Sequence, residues 1–177
     1  MAILFLFSNS QAQPIEKVIN QVSFEKAVDD VCNYNKNYCF ILKDKNINSY
    51  LRKYYKTGLY TIAYIESKFK YKQGFYNKND ISIFQINTYY WNREQLNKLN
   101  VKYSYNQIKH NNYAAAYTAL RIWLVNISRY IYVYRKYPKS LAEYIALYHR
   151  VENIDRHYTR KARKVVYKFL NLAQGEK

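Results

Sequence analysis

The run from Asn112 to Tyr137 constrains the fold more than any other part of the chain. Ala116, Leu120, Trp123, Ile127, Ile131 and Tyr134 recur there at three- and four-residue spacing, the period of one helix face. Apolar residues are dense enough along it to predict a central, buried helix, ended by Pro138. A chain organised around such an element has few ways to be a sandwich or barrel, which need a turn every few residues. Only three glycines and two prolines punctuate the 177 residues, which strengthens the exclusion. The expectation is a single, mainly α domain with a minimal extended patch, large enough for a core without staples.

The remaining segments are read by the same period. "PIEKVINQVSFEKAVDDV" has a proline near its start and apolar residues at Ile15, Val18, Ile19 and Val22, then Phe24, Ala27 and Val28. Asn48–Tyr55 predicts a further helix, with Gly58 as a stop or kink before "LYTIAYIESKF". That piece sets Leu59, Ile62, Ala63, Glu66 and Phe69 close to one face. Residues 70–80 are polar, and Ile81–Asn87 reads as a short strand or an extended loop. "TYYWNREQLNKL" is helical in pattern. "SLAE" at Ser140–Glu143 has the form of a capping box, and a last amphipathic helix is expected from about Asp155 to Leu172.

The charge is strongly basic, with 29 Lys and Arg against 12 Asp and Glu, or +17. That predicts attraction to polyanions, whether nucleic acid, acidic lipid or anionic wall polymer. Abundant Lys, Asn, Ile and Tyr also fit an AT-rich coding sequence, so charge alone selects no partner. Ala2–Phe7 is an apolar run followed by "SNSQAQ", the pattern of a short signal segment with a candidate cleavage site after Ala12. No Lys or Arg precedes it, and an N-terminal strand or core segment is the competing reading. The preferred division is residues 1–13 as a signal segment or its remnant and 14–177 as the folded domain of an exported protein. No stretch reaches the length of about 20 apolar residues that a membrane span needs. Cys32 and Cys39 lie seven positions apart around "NYNKNY". They are too distant for a disulfide on one helix and within reach if the chain turns, so their pairing stays open. No histidine or second cysteine pair has zinc-ligand spacing nearby, and His110, His149 and His157 are scattered; no metal or cofactor is expected.

Glu66 is the residue whose chemistry stands out. It follows Ile62 and Ala63 by one helical turn and precedes Phe69. Apolar neighbours disfavour the charged carboxylate, and the negative end of a helix pushes the same way. A glutamate held protonated near neutrality is suited to act as a general acid on a glycosidic oxygen. The ordinary alternative is an acid on a helix surface.

Four blocks in order, and a closing helix after them, carry a resemblance. "IAYIESKF" resembles the "aIaxxESxF" helix end of the lytic transglycosylase family with a goose-lysozyme-like fold. "NDISIFQIN" resembles its later acidic-apolar-Gly-apolar-Met/Phe-Gln-Ile-Asn segment. "NNYAAAYTALRIWL" is similar to its "NixxGaxiL" helix, and "LAEYIALYHR" to the segment supplying an active-site tyrosine. "IDRHYTRKARKVV" is similar to its closing "YvxkVxxxl" helix. The resemblance spans about Leu59 to Phe169 and extends to the small exported transglycosylases that accompany secretion machines. It departs at Ser82, where the family has glycine, at Ala115 or Ala116, and at Arg150.

The resemblance implies a lysozyme-like fold and cleavage of the peptidoglycan bond between N-acetylmuramic acid and N-acetylglucosamine, leaving anhydromuramoyl ends. Glu66 would be the sole catalytic acid and base. Ser67 would brace its loop, Phe84 and Gln85 would line the sugar cleft, and Tyr148 would place its hydroxyl near Glu66. It also implies a periplasmic or otherwise exported location, glycan strands and secretion-machine components as partners, and no nucleic acid. Three alternatives stand beside it: a hydrolysing muramidase of the same fold, a basic module binding nucleic acid or a protein partner, and a relic that binds glycan without cutting it.

Overall fold

In the computed structural model, residues 14–70, 77–152 and 154–174 are described. The expected signal segment, residues 1–13, and most of the polar loop before Asp80 lie outside them. The first helical stretch is two helices, α1 (Ile15–Asn20) and α2 (Phe24–Tyr34). The break falls where the apolar spacing slips from Val22 to Phe24, and Ser23 caps α2 by accepting from the Lys26 amide at 3.2 Å. Asn35 ends α2 and caps α3 (Lys36–Lys43), its side chain accepting from the Asn37 amide. This turn brings Cys32 and Cys39 together as free thiols in hydrogen-bond contact. Burial, with Cys39 beside it, pushes the Cys32 thiol up to about 12.

The helix α4 (Lys45–Ser67) runs unbroken through Gly58, against the expectation of a stop or kink there. A β-carbon on Gly58 would stand 2.2 Å from Cη2 of Trp123. Glycine is there so that the Trp123 ring can lie against the α4 backbone, and this contact overrides its helix propensity cost of about 1 kcal/mol. Asp44 caps the start of α4 by accepting from the amides of Asn46 and Ile47.

After α4 come the short antiparallel strands β1 (Asp80–Ile81) and β2 (Ile86–Asn87), with Asp80 opposite Asn87 and Ile81 opposite Ile86. Three helices follow: α5 (Arg93–Lys98), shorter than its sequence pattern, α6 (Tyr105–His110), and α7 (Asn112–Tyr134). Residues 114–128 of α7 are buried without interruption, the all-round burial of a helix at the centre of a domain. The helix ends at Arg135 in the left-handed region (φ 51°), three residues before Pro138.

The helices α8 (Leu141–His149) and α9 (Arg156–Gln174) complete the order. Ser140 caps α8 as expected, but the Glu143 carboxylate accepts from the Lys139 amide. The indole N–H of Trp123 donates to the Tyr144 carbonyl at 2.7 Å, and Asn126 donates to the Leu147 carbonyl, which fixes α8 along α7. Then α9 packs in the angle between α4 and α8 through Tyr158, Ala162, Val166 and Phe169, all buried. The result is a mainly helical, single compact domain around α7, with the β1–β2 hairpin near the C-terminal end of α4. Among the described residues no helix is long and apolar enough to cross a membrane.

Candidate functional site

Four pieces of chain meet at the C-terminal end of α4: that helix end, the turn between β1 and β2, the last turn of α8 and the first turn of α9. Two left-handed residues, Lys68 (φ 53°) and Phe69 (φ 61°), turn the chain off α4 directly after Glu66 and Ser67. The Ser67 hydroxyl lies 2.8 Å from the Ile83 carbonyl and 3.1 Å from that of Ala63, so it joins the helix end to the β1–β2 turn. Phe69 folds back on Tyr64 and Phe169 with ring centroids 5.6 Å apart in both cases.

The turn itself is built on unusual backbone. Ser82 (φ 67°) and Gln85 (φ 49°) both lie in the left-handed region. Ser82 is the position where the resemblance asked for glycine, the residue that occupies that region without steric cost. Ser82 compensates locally, its hydroxyl oxygen accepting from the Phe84 amide at 3.2 Å. The Gln85 carboxamide donates to the Ser82 carbonyl at 2.7 Å, so part of its capacity is used in holding the turn.

The residues implied by the resemblance are brought to one place, Phe84 departing from the expectation by its burial and Tyr148 making a backbone contact besides lying near Glu66. Phe84 is fully buried, so its ring fills the core and does not line a cleft. Its contribution is its carbonyl, which accepts from the Tyr148 hydroxyl at 3.0 Å. Tyr148 therefore holds the turn, with Glu66 close enough to push the phenol's pKa up further beyond the effect of its burial. The hydroxyl that reaches Glu66 belongs to Tyr158 on α9, donating to Oε1 at 2.7 Å.

Sequence reasoning missed Tyr158, although a signal was present. It heads the buried stripe of α9, and a tyrosine on a buried stripe needs a partner for its hydroxyl. His149, read from sequence as one of three scattered histidines, stacks on the Tyr158 ring at 4.9 Å with an interplanar angle of 14°. Its Nε2 lies 4.0 Å from Asp155, whose other carboxylate oxygen caps α9 at the Tyr158 amide. Burial holds the His149 imidazole below its ordinary value, with Asp155 opposing.

These contacts set the chemistry of Glu66. Withdrawal from water raises its pKa from 4.5 to about 7; the Tyr158 hydrogen bond works against that rise, and Asp80 adds to it. Asp80 is itself raised, by burial first, while the Asn87 amide bonded at 2.7 Å favours its charged form. Glu66 thus exchanges its proton near neutrality, with Oε1 held by a phenol and, among the described residues, no hydrogen bond to its other oxygen. Among the described residues no group of three or more His, Cys, Asp or Glu could hold a metal ion. Compared with known proteins, the chain matches no family model, no curated protein and no solved structure.

Proposed function

We propose that the protein is an exported lytic transglycosylase of the cell wall, with a lysozyme-like arrangement of its helices and Glu66 as its single acid and base. The observation that carries this reading is the Glu66 carboxyl, raised to about 7 and held on Oε1 by Tyr158. A carboxyl of that pKa is protonated in a large fraction of molecules at neutral pH. It would donate its proton to the glycosidic oxygen between N-acetylmuramic acid and N-acetylglucosamine. The resulting carboxylate would then take the proton of the muramoyl 6-hydroxyl, whose oxygen closes on C1 as an anhydro ring. No water is consumed, and Glu66 ends protonated as it began.

Ser67, Tyr148 and the Ser82–Gln85 turn act in this reading by fixing the wall opposite Glu66, with the half-buried Gln85 side chain as the contact to an acetamido group. Local opening of the wall for a secretion apparatus is the role that fits a small basic enzyme of this kind. Asp80 favours a second reading. It is near enough to influence Glu66, and two carboxyls are what a hydrolysing muramidase uses.

Digestion of purified peptidoglycan with product masses separates the readings. Anhydromuramoyl ends are expected, and Glu66→Gln is expected to lower the rate by about 100-fold or more, the range for a lost general acid. Reducing ends would favour the muramidase, and unchanged cutting by Glu66→Gln would remove Glu66 from the chemistry.

A further inference from the structure

The opposite end of α4 holds a cavity that none of this uses. Tyr50 in the second turn of α4 is separated from Glu66 by roughly 25 Å of helix rise. It lines a space of about 470 Å³ between the start of α4 and the chain joining α7 to α8, together with Asp44, Ile47, Tyr137, Lys139 and Tyr144. Pockets of a few hundred Å³ with a small number of convergent polar groups are where small ligands bind.

The polar groups here do converge. The Tyr144 hydroxyl is pushed up to about 12, by burial first and then by Tyr50, Tyr137 and Asp44, which all act on it. Asp44 caps α4 through Oδ1, accepting two amides at 3.0 Å, and among the described residues no hydrogen bond goes to Oδ2. The Tyr50 and Tyr144 rings stand 5.2 Å apart at 35°, and Tyr137 is 61% exposed, presenting a ring at the mouth. Asp44 and Lys139 contribute one charge of each sign, so the pocket is close to neutral on a chain of formal charge +17. An anion would meet Asp44, and a cation would meet Lys139. A neutral ring bearing hydroxyls fits both, because phenols donate and accept while their faces take the C–H side of the ring.

We propose that this pocket binds a saccharide unit of a neutral glycan, stacked on Tyr137 and hydrogen-bonded to Tyr144 and Asp44. It is a site distinct from Glu66 and needs no chemistry there.

The test is an NMR titration of the Glu66→Gln full chain, in which turnover is removed, with the tetrasaccharide of N-acetylglucosamine. Saturable shifts at Tyr50, Tyr137 and Tyr144 are expected. Tyr137→Ala, which removes an exposed ring and leaves the melting temperature unchanged, should weaken them about tenfold or more, and Tyr144→Phe several-fold. Shifts confined to the Glu66 end, or a Tyr137→Ala titration identical to that of its parent, would overturn the site. So would saturation of the pocket by tetramethylammonium or inorganic phosphate with no response to the tetrasaccharide. If the unsubstituted protein cuts no peptidoglycan while the tetrasaccharide saturates the pocket, the Glu66 reading fails and this site stands.

Discussion

Asp30 on α2 and Glu66 on α4 are two carboxylates drawn out of solvent, one beside a guanidinium and the other beside a phenol. Asp30 is 5% exposed and pairs with Arg121, which is wholly buried on α7 with its guanidinium over the Tyr117 ring. Asn100 donates to the other Asp30 oxygen at 2.8 Å, and the Tyr117 hydroxyl makes a longer contact at 3.4 Å. Its charge is met on every side, and the group ties α2, the chain after α5, and α7 together. Among the described residues Glu66 has one neutral donor, a neighbouring acid, and in Lys161 the smallest of the contributions to its pKa. A matched carboxylate fixes architecture; an under-matched one is free to hold and release a proton.

The comparison breaks most readily at Asp30. Asp30→Ala strands the Arg121 guanidinium, whose Nε already lacks a partner, and removing one member of a buried pair costs about 3–5 kcal/mol. Urea denaturation should show that loss, with the Glu66 titration of the remaining folded protein unchanged. A loss below about 1 kcal/mol would mean that water reaches the pair, and the contrast with Glu66 would collapse.

At Glu66 the opposite sign is expected. Its pKa of about 7 in the fold lies above the ordinary 4.5. The protonated form is therefore the one the fold favours, so the stability linked to this group is complete below pH 4.5 and is lost as pH rises through 7. The difference converts to at most about 3 kcal/mol, and the open side of the residue reduces it to about 1–2 kcal/mol. Glu66→Gln should stabilise the protein by that amount at pH 8 and by nothing at pH 4, read as melting temperature across the range. Equal stability of the two proteins at pH 8 would show Glu66 to be an ordinary surface acid.

Two phenols sharpen the same point. Tyr158→Phe removes the hydrogen bond that favours the Glu66 carboxylate, so a carboxyl carbon NMR titration should move to higher pH. Tyr148→Phe removes only the tie to the Phe84 carbonyl; it should cost about 0.5–1.5 kcal/mol of stability and move that titration much less. If Tyr148→Phe shifts it more than Tyr158→Phe does, the two tyrosines have been given each other's roles.

What could be read from sequence follows the distinction between local pattern and long-range contact. The period of residues 112–134 showed α7, and the neighbours of Glu66 one turn back showed its apolar setting. Nothing in the sequence links Asp30 to Arg121, because neither position departs from its helix pattern until the helices are packed. Gly58 was misread for the same reason: its meaning lies in Trp123, on another helix. At the site, Glu66 and Ser67 could be placed from their own helix end. Phe84 and Tyr158 could not, since burial of the one ring and the reach of the other depend on where α8 and α9 come to rest.

The smallest expected effect is at Ser82, where the resemblance asked for glycine. A non-glycine residue in the left-handed region carries a strain of about 1–2 kcal/mol, which Ser82→Gly would release. Against this, glycine gains freedom in the unfolded chain, worth about 0.5–1 kcal/mol. It also gives up the hydroxyl that accepts from the Phe84 amide, a net loss of about 0.5–1.5 kcal/mol. The two sides nearly cancel, so Ser82→Gly should change stability by less than about 1 kcal/mol in either direction. It should also leave the Glu66 titration unmoved, because the turn is still tied by Ser67 and Tyr148 to the helices on both sides. A gain above about 2 kcal/mol would mean that the hydroxyl compensates for none of the strain, and that the turn between β1 and β2 is held under tension by its own sequence.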